Sequence, residues 1–266
     1  MDFKKLEKTE LFLLDMDGTV YIENELIDGA KEFIDTIRST GRDYVFMTNN
    51  SSKGTATYVE KLKRIGLPAD KSNIFTSGMA SAIHLKSFTA KPRIYVVGTK
   101  SLKEELTSLG IEISEDGKGA IDYLLVGYDT ELEYKKLEIA CNLLCEGVPF
   151  FATNPDIVCP APNGRYLPDC QTICNMLEKA TGREPFYIGK PRKEMAFASI
   201  AYKNGKPETT AVVGDRLYTD IACGKNADIL SILVLSGESR IDDIPKYGVN
   251  PDMIFNSVAE ITPHLK

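Results

Sequence analysis

The sequence predicts an α/β fold built on a doubly wound parallel sheet, and two observations carry that prediction. Short, strongly apolar runs of strand length alternate with segments of helical period along the whole chain. Several of those runs end abruptly in polar residues of the kinds that do chemistry. That is how parallel strands behave where their carboxyl ends face a ligand crevice. With 266 residues, 43% hydrophobic and 26% charged, the chain has material for one large or two modest globular domains.

The elements follow in order. "LFLLDMDGTVY", residues 11–21, opens with four apolar residues fit for a buried strand and then places Asp15 and Asp17 two positions apart. "DGAKEFIDTIRSTG" sets Ala30, Phe33, Ile34 and Ile37 on one helical face, with Gly41 as its stop. "YVFMTNNSS" reads as a buried strand running into polar residues. "TATYVEKLKRIG" spaces Tyr58, Val59, Leu62 and Ile65 as a helix does, and "NIFTSG" returns to strand. This βαβαβ opening is the mark of a parallel sheet covered by helices. The middle repeats the alternation: "RIYVVG" and "DYLLVG" as strands around the helical "KSLKEELTSLG", then helical "LEYKKLEIACNLLCEG" and a strand at "PFFAT". "ATNPDIVCPAPNGRYLPD" is rich in Pro and Asn and reads as a long structured loop. The C-terminal part offers strands at "TTAVVGD", "DILSILVLSG" and "DMIF".

Charge and composition narrow the function. A net charge of −6 argues against a general nucleic-acid or membrane-surface binder, and leaves room for a small anion held beside a metal ion. The N-terminal "MDFKKLEKTELF" has no signal-peptide apolar segment, and no stretch approaches a transmembrane span, which points to the cytoplasm. Cys141 and Cys145 stand four apart, as do Cys170 and Cys174, and neither pair has zinc-ribbon spacing. The six cysteines therefore read as reduced, mostly packed thiols, and His84 and His264 as surface or packing residues. No G-x-x-x-x-G-K-[ST] or G-x-G-x-x-G motif supports the usual nucleotide sites.

The chemistry is carried by a set of segments in order. "LFLLDMDGT", "YVFMTNN" and "AVVGDRLYTD" each pass from an apolar run to polar residues, and "YIGKP" adds Lys190 after a short apolar run. A single Asp after a strand is ordinarily a cap or turn former. Four such segments together form a candidate site.

D-M-D-G-T, T-N-N-S, G-K-P and G-D-R-L-Y-T-D, in this order, resemble the haloacid dehalogenase superfamily of phosphohydrolases, and within it the NagD-like, para-nitrophenyl phosphatase branch. The resemblance covers nearly the whole chain. It implies that Asp15 is a nucleophile forming an aspartyl-phosphate, and that Asp17 is the general acid and base. It implies a Mg²⁺ ion held by the Asp15 carboxylate, the Asp17 main-chain carbonyl and Asp215, with Asp220 behind them acting through a water or by holding Lys190. Lys190 would stabilise charge on Asp15 and the phosphate, and Thr48 and Asn49 would bind the phosphate from a helix-entry loop.

The resemblance also implies a core of residues 1–77 and 188–266, interrupted by an α/β cap domain over 78–187 that selects substrate. Asn154, Pro155 and Asp156 match the N-P-D of the family's substrate loop. Relatives follow that loop with P-G-x-G, where this chain has Pro168, Asp169, Cys170 and Gln171. Arg192, just past Lys190, reads as a solvated helix-start residue. The implied partner is a small phosphorylated metabolite: a nucleotide monophosphate, a sugar phosphate or a glycerol phosphate, with para-nitrophenyl phosphate as an artificial substrate. No nucleic acid polymer or membrane is expected. Subunit number is left open, a homodimer included. The rival readings are a phosphotransferase or phosphomutase using the same intermediate, and a non-catalytic regulatory protein on the same fold.

Overall fold

Four consecutive buried residues, Leu11–Leu14, make β1, the strand from which the rest of the sheet is built. The structure is a computed structural model and describes residues 3–161 and 164–266. Two short strands follow, β2 (Tyr21–Ile22) and β3 (Glu25–Leu26), paired antiparallel in a tight hairpin. Strands of two residues are too short for any apolar period in the sequence to mark this hairpin. Its turn is Glu23-Asn24 rather than a glycine pair, although Glu23 takes the left-handed φ of +54° that such turns need. Then come β4 (Asp43–Thr48) and β5 (Ile74–Thr76). In the middle lie β6 (Arg93–Val97), β7 (Glu112–Ser114), β8 (Tyr123–Val126) and β9 (Phe150–Ala152). They are followed by β10 (Val158–Ala161), β11 (Arg165–Pro168) and β12 (Phe186–Tyr187). The chain closes with β13 (Thr210–Gly214), β14 (Leu230–Val234) and β15 (Met253–Phe255).

Internal packing divides the chain into two compact units. Met1–Thr48, Ala56–Phe75 and Lys190–Lys266 form the first; Asn49–Thr55 and Thr76–Gly189 form the second.

The first unit carries a six-stranded sheet in the order β15-β14-β13-β1-β4-β5. The order reverses between β1 and β13, so the switch point of the doubly wound sheet lies between them. Strand residues alternate between the two faces. Phe12, Leu14, Phe46, Val213 and Ile232 join Phe33, Ile34 and Ile37 of the helix Ala30–Ser39 in one core. Leu233, one residue from Ile232, packs instead with Leu217 and Ile221.

The second unit has its own five-stranded sheet, β12-β9-β8-β6-β7, with all strands parallel. Tyr95, Val97, Leu124 and Val126 meet Leu143 and Leu144 of the helix Tyr134–Cys145 and Ile173 and Leu177 of the helix Cys170–Thr181. The "YIGKP" segment begins in this sheet, in β12, so Lys190 does not follow a strand of the first unit's sheet.

The Pro- and Asn-rich segment expected as a long loop contains an antiparallel hairpin, with Val158 opposite Pro168 and Ala161 opposite Arg165. Proline is tolerated because a two-stranded ribbon has open edges where a missing N–H breaks no ladder. Pro162 and Asn163 of that segment lie outside the described residues. None of the six cysteines is in a disulfide; Cys170, Cys174 and Cys223 are buried, and Cys145 is exposed. His84 stacks on Phe186 and His264 on Phe3, so both histidines pack against rings.

Candidate active site

The register of β1 on β13 pairs Leu14 with Val213, and the Asp15 N–H continues the ladder to the Val213 carbonyl at 2.9 Å. Asp15 and Asp215 thus leave neighbouring strands at the same end, at the switch point. Asp220 arrives from a turn of π-helix, Leu217–Ile221, directly after β13. One carboxylate oxygen from each of Asp15, Asp215 and Asp220 lies within 4.8 Å of the other two.

Lys190 completes this cluster. Its Nζ donates to Asp15 Oδ1 at 2.5 Å, to Asp220 Oδ1 at 2.6 Å and to the Met47 carbonyl at 3.1 Å. An ammonium has three donors, and all three are used. Asp220 in turn accepts the Arg216 N–H on its other oxygen, at 3.1 Å. Of the two roles the sequence left open for Asp220, holding Lys190 is the one its hydrogen bonds display.

Asp215 is held by neighbours from two loops, one around Gly18 and one around Gly237. The Glu238 N–H reaches its Oδ2 at 2.8 Å, and the Thr19 hydroxyl faces Oδ1 at 3.4 Å. Gly18 and Gly237 flank it so closely that a Cβ on either would collide with the carboxylate. The Ser236 hydroxyl donates to the Gly18 carbonyl at 2.7 Å and ties the two glycine loops together. Arg216 stood inside a recognised motif without a role; here its Nε pairs with Glu238 at 2.8 Å. Nothing local marks Gly237 or Glu238, since "LSGES" reads as an ordinary turn.

The electrostatics follow from burial. Burial pushes the Asp15 carboxyl up to about 6, with the Asp220 charge adding to it and Lys190 and Arg216 opposing it. Burial and the charges of Asp15 and Asp220 push Asp215 up to about 8, against the Glu238 N–H and Arg216. For Lys190, burial alone would favour the neutral amine, but Asp15 and Asp220 outweigh it and hold its pKa above the ordinary lysine value. Three carboxylates around a single ammonium leave an excess of negative charge in a poorly solvated place. The donors are all hard oxygens, at spacings a small divalent cation can span. The residues fit such an ion.

The other expected residues fall into separate places. Asp17 is exposed, in the turn after Asp15, and its side chain is outside the carboxylate cluster. Gly18 beside it takes a φ of +87°, which lets the turn close. Thr48 is buried at the end of β4 in the first unit. Asn49, the next residue, belongs to the second unit together with Asn154, Pro155 and Asp156. There the Asn49 and Asn154 side-chain amides both donate to Asp156, each at 2.8 Å. Asp169, at the departure from P-G-x-G, caps the helix Cys170–Thr181 through the Cys170 N–H and accepts from Asn154 at 3.1 Å. Arg192 is exposed at the start of the helix Lys193–Tyr202.

A family model described as haloacid dehalogenase-like hydrolase matches residues 12–112, and one described as HAD-hydrolase-like matches residues 187–261. The chain is 31% identical over 261 residues to an acid sugar phosphatase of Staphylococcus aureus strain MRSA252, covering 98% of this chain and 100% of that one. A solved 4-nitrophenylphosphatase from Thermotoga maritima superposes with a TM-score of 0.92 at 38% identity, covering 98% of this chain and 99% of that one. NagD from E. coli K-12 gives a TM-score of 0.87 at 33% identity, over 95% and 98% of the two chains. No helix among the described residues is long and apolar enough to cross a membrane.

Proposed function

The chain belongs to the haloacid dehalogenase-like hydrolases and is a NagD-like phosphatase, and from that premise we propose that it hydrolyses small phosphate monoesters, sugar phosphates among them, through an aspartyl-phosphate on Asp15. The observation that carries this is the convergence of the Asp15, Asp215 and Asp220 carboxylates with Lys190 among them. The choice of sugar phosphates leans on the acid sugar phosphatase relatives, and para-nitrophenyl phosphate is the convenient artificial substrate.

Asp15 attacks phosphorus; its Oδ–P bond forms as the bond to the leaving alkoxide breaks. Asp17, exposed two residues on, gives its proton to that alkoxide. It then takes a proton from the water that attacks the phosphorus and breaks the Asp15–phosphate bond, which releases inorganic phosphate. Lys190 keeps Asp15 ionised and oriented, with Asp220 and the Met47 carbonyl fixing the ammonium. Thr48 binds the phosphate through its hydroxyl and Asn49 through its backbone N–H, since the Asn49 amide donates to Asp156. Mg²⁺ is the proposed cofactor, held by the carboxylates of Asp15 and Asp215 and the Asp17 main-chain carbonyl; when bound it would neutralise the charge that substrate and nucleophile bring together. The first unit would be the catalytic core and the second the substrate-selecting cap.

The test is a screen over many monoesters with Mg²⁺, ranked by kcat/KM, with Asp15→Asn as the blank. Release of inorganic phosphate, rather than its transfer to an added alcohol, is the expected product. Turnover by a well-folded Asp15→Asn protein would refute the nucleophile.

A further inference from the structure

The N-P-D segment of the second unit is fastened through both its main chain and its side chains. The Asp156 carbonyl accepts the Gln171 N–H at 2.9 Å, and the Asp169 N–H reaches the Ile157 carbonyl at 2.9 Å, so the segment is pinned to the start of the helix Cys170–Thr181. Asn154 is fully buried, its amide nitrogen shared between Asp156 and Asp169 and its oxygen accepting from Thr153 at 2.7 Å. Asp156 is therefore presented by a rigid frame.

One oxygen of that carboxylate, Oδ2, accepts two amides at 2.8 Å, from Asn154 and from Asn49. Asn49 is only 8% exposed. Its carbonyl accepts the Ser77 hydroxyl at 2.7 Å. Gly189, just before Lys190, leaves room for it: a Cβ there would lie 2.6 Å from Asn49 Oδ1 and equally close to the Thr153 carbonyl. Side chain and main chain of Asn49 are thus both fixed, and the bond to the side-chain nitrogen is made by a charged acceptor.

We propose that Asp156 is a positioning residue: it holds Asn49, and with it the phosphate-binding loop, and does not read the substrate. This rests on the reading of Asn49 as a phosphate-binding residue. The N-P-D segment then acts on every substrate alike, by setting where the Asn49 backbone stands.

The experiment uses the full-length protein with Mg²⁺, para-nitrophenyl phosphate and a hexose phosphate. The variants are D156A, D156N, N49A and N49A/D156A. Misplacing a binding group by an ångström costs about a hundredfold. D156A is expected to lose about tenfold to a hundredfold in kcat by the same factor on both substrates, with KM little changed. N49A should match it, and the double variant should be no worse than either. D156N keeps an oxygen that can accept both amides and should retain most of kcat. A D156A defect that sits in KM and differs between substrates would overturn the proposal, as would D156N failing as badly as D156A. Thermal unfolding of the same four variants checks the clamp without reference to turnover: the N49A and D156A losses should be strongly non-additive, and additive losses also overturn it. A wild-type protein that hydrolyses no monoester would instead sink the phosphatase reading and leave the unfolding cycle to decide the clamp.

Discussion

Lys190 donates to Asp220 at 2.6 Å, and both side chains are almost wholly buried, at 3% and 1% exposure. A buried ion pair contributes little net stability, yet breaking one side of it is costly because the other charge is left unpaired. Lys190→Met should therefore destabilise the metal-free protein by about 3 kcal/mol. Adding Asp220→Asn should recover part of that loss. Turnover should fall about a hundredfold or more and stay low in the double variant, because the charge beside Asp15 is still missing. Denaturant unfolding and para-nitrophenyl phosphate assays on the single and double variants check both halves.

The raised carboxyls give the metal-free protein a distinctive pH dependence. Asp15 and Asp215 titrate at about 6 and about 8 when folded, against a reference of 3.8. Between the reference and those values the folded state binds more protons than the unfolded chain, so stability falls as pH rises. Tm in chelator should drop steadily from about pH 5 to about pH 8, and Asp215→Asn should remove the upper part of the slope. A Tm that climbs over this range would contradict the burial of these groups as uncompensated charges.

Cation binding should reverse that penalty. Mg²⁺ added at pH 8 is expected to raise Tm, and chelation to stop turnover reversibly. Asp215→Asn should lose the Mg²⁺-dependent rise in Tm.

Asp17 and Asp215 should separate in the same assay. Asp17→Asn leaves the main chain intact and is expected to keep the Mg²⁺-dependent rise in Tm while losing hydrolysis. Equal loss of both would assign the Asp17 side chain to the metal.

Gly237→Ala tests a contact that no motif announces. An added methyl would press on the Asp215 carboxylate. Mg²⁺ affinity should weaken by about tenfold to a hundredfold, with little loss of secondary structure. Titration followed by Tm, with circular dichroism as the control for folding, reads both.

Much of the site was legible because its residues end recognisable strands. Leu11–Leu14 and Thr210–Gly214 are apolar runs with an Asp directly after each, and parallel pairing necessarily carries both Asp residues to one edge. Lys190 was found by its motif and not by its element, since the short strand before it belongs to the second unit's sheet. The hairpins at Tyr21–Leu26 and Val158–Pro168 were not legible. Each is two to four residues per strand, too short for a period to show, and the one sequence cue to the second, Asn163-Gly164, sits in a Pro- and Asn-rich stretch that reads as loop.

What the sequence by itself determined is the α/β alternation and the order of the motifs, and these named Asp15, Asp17, Lys190, Asp215 and Asp220 as candidates. These depend on local apolar period and on neighbours a few residues apart. Only the tertiary structure decided that Glu238 and Gly237 hold Asp215, that Asp220 holds Lys190, and that Asn49 is fastened to Asp156, 107 residues away. Such partners meet because packed sheets bring distant loops within hydrogen-bond reach. A hydrogen bond is satisfied by distance and direction in space, which residue spacing along the chain does not record.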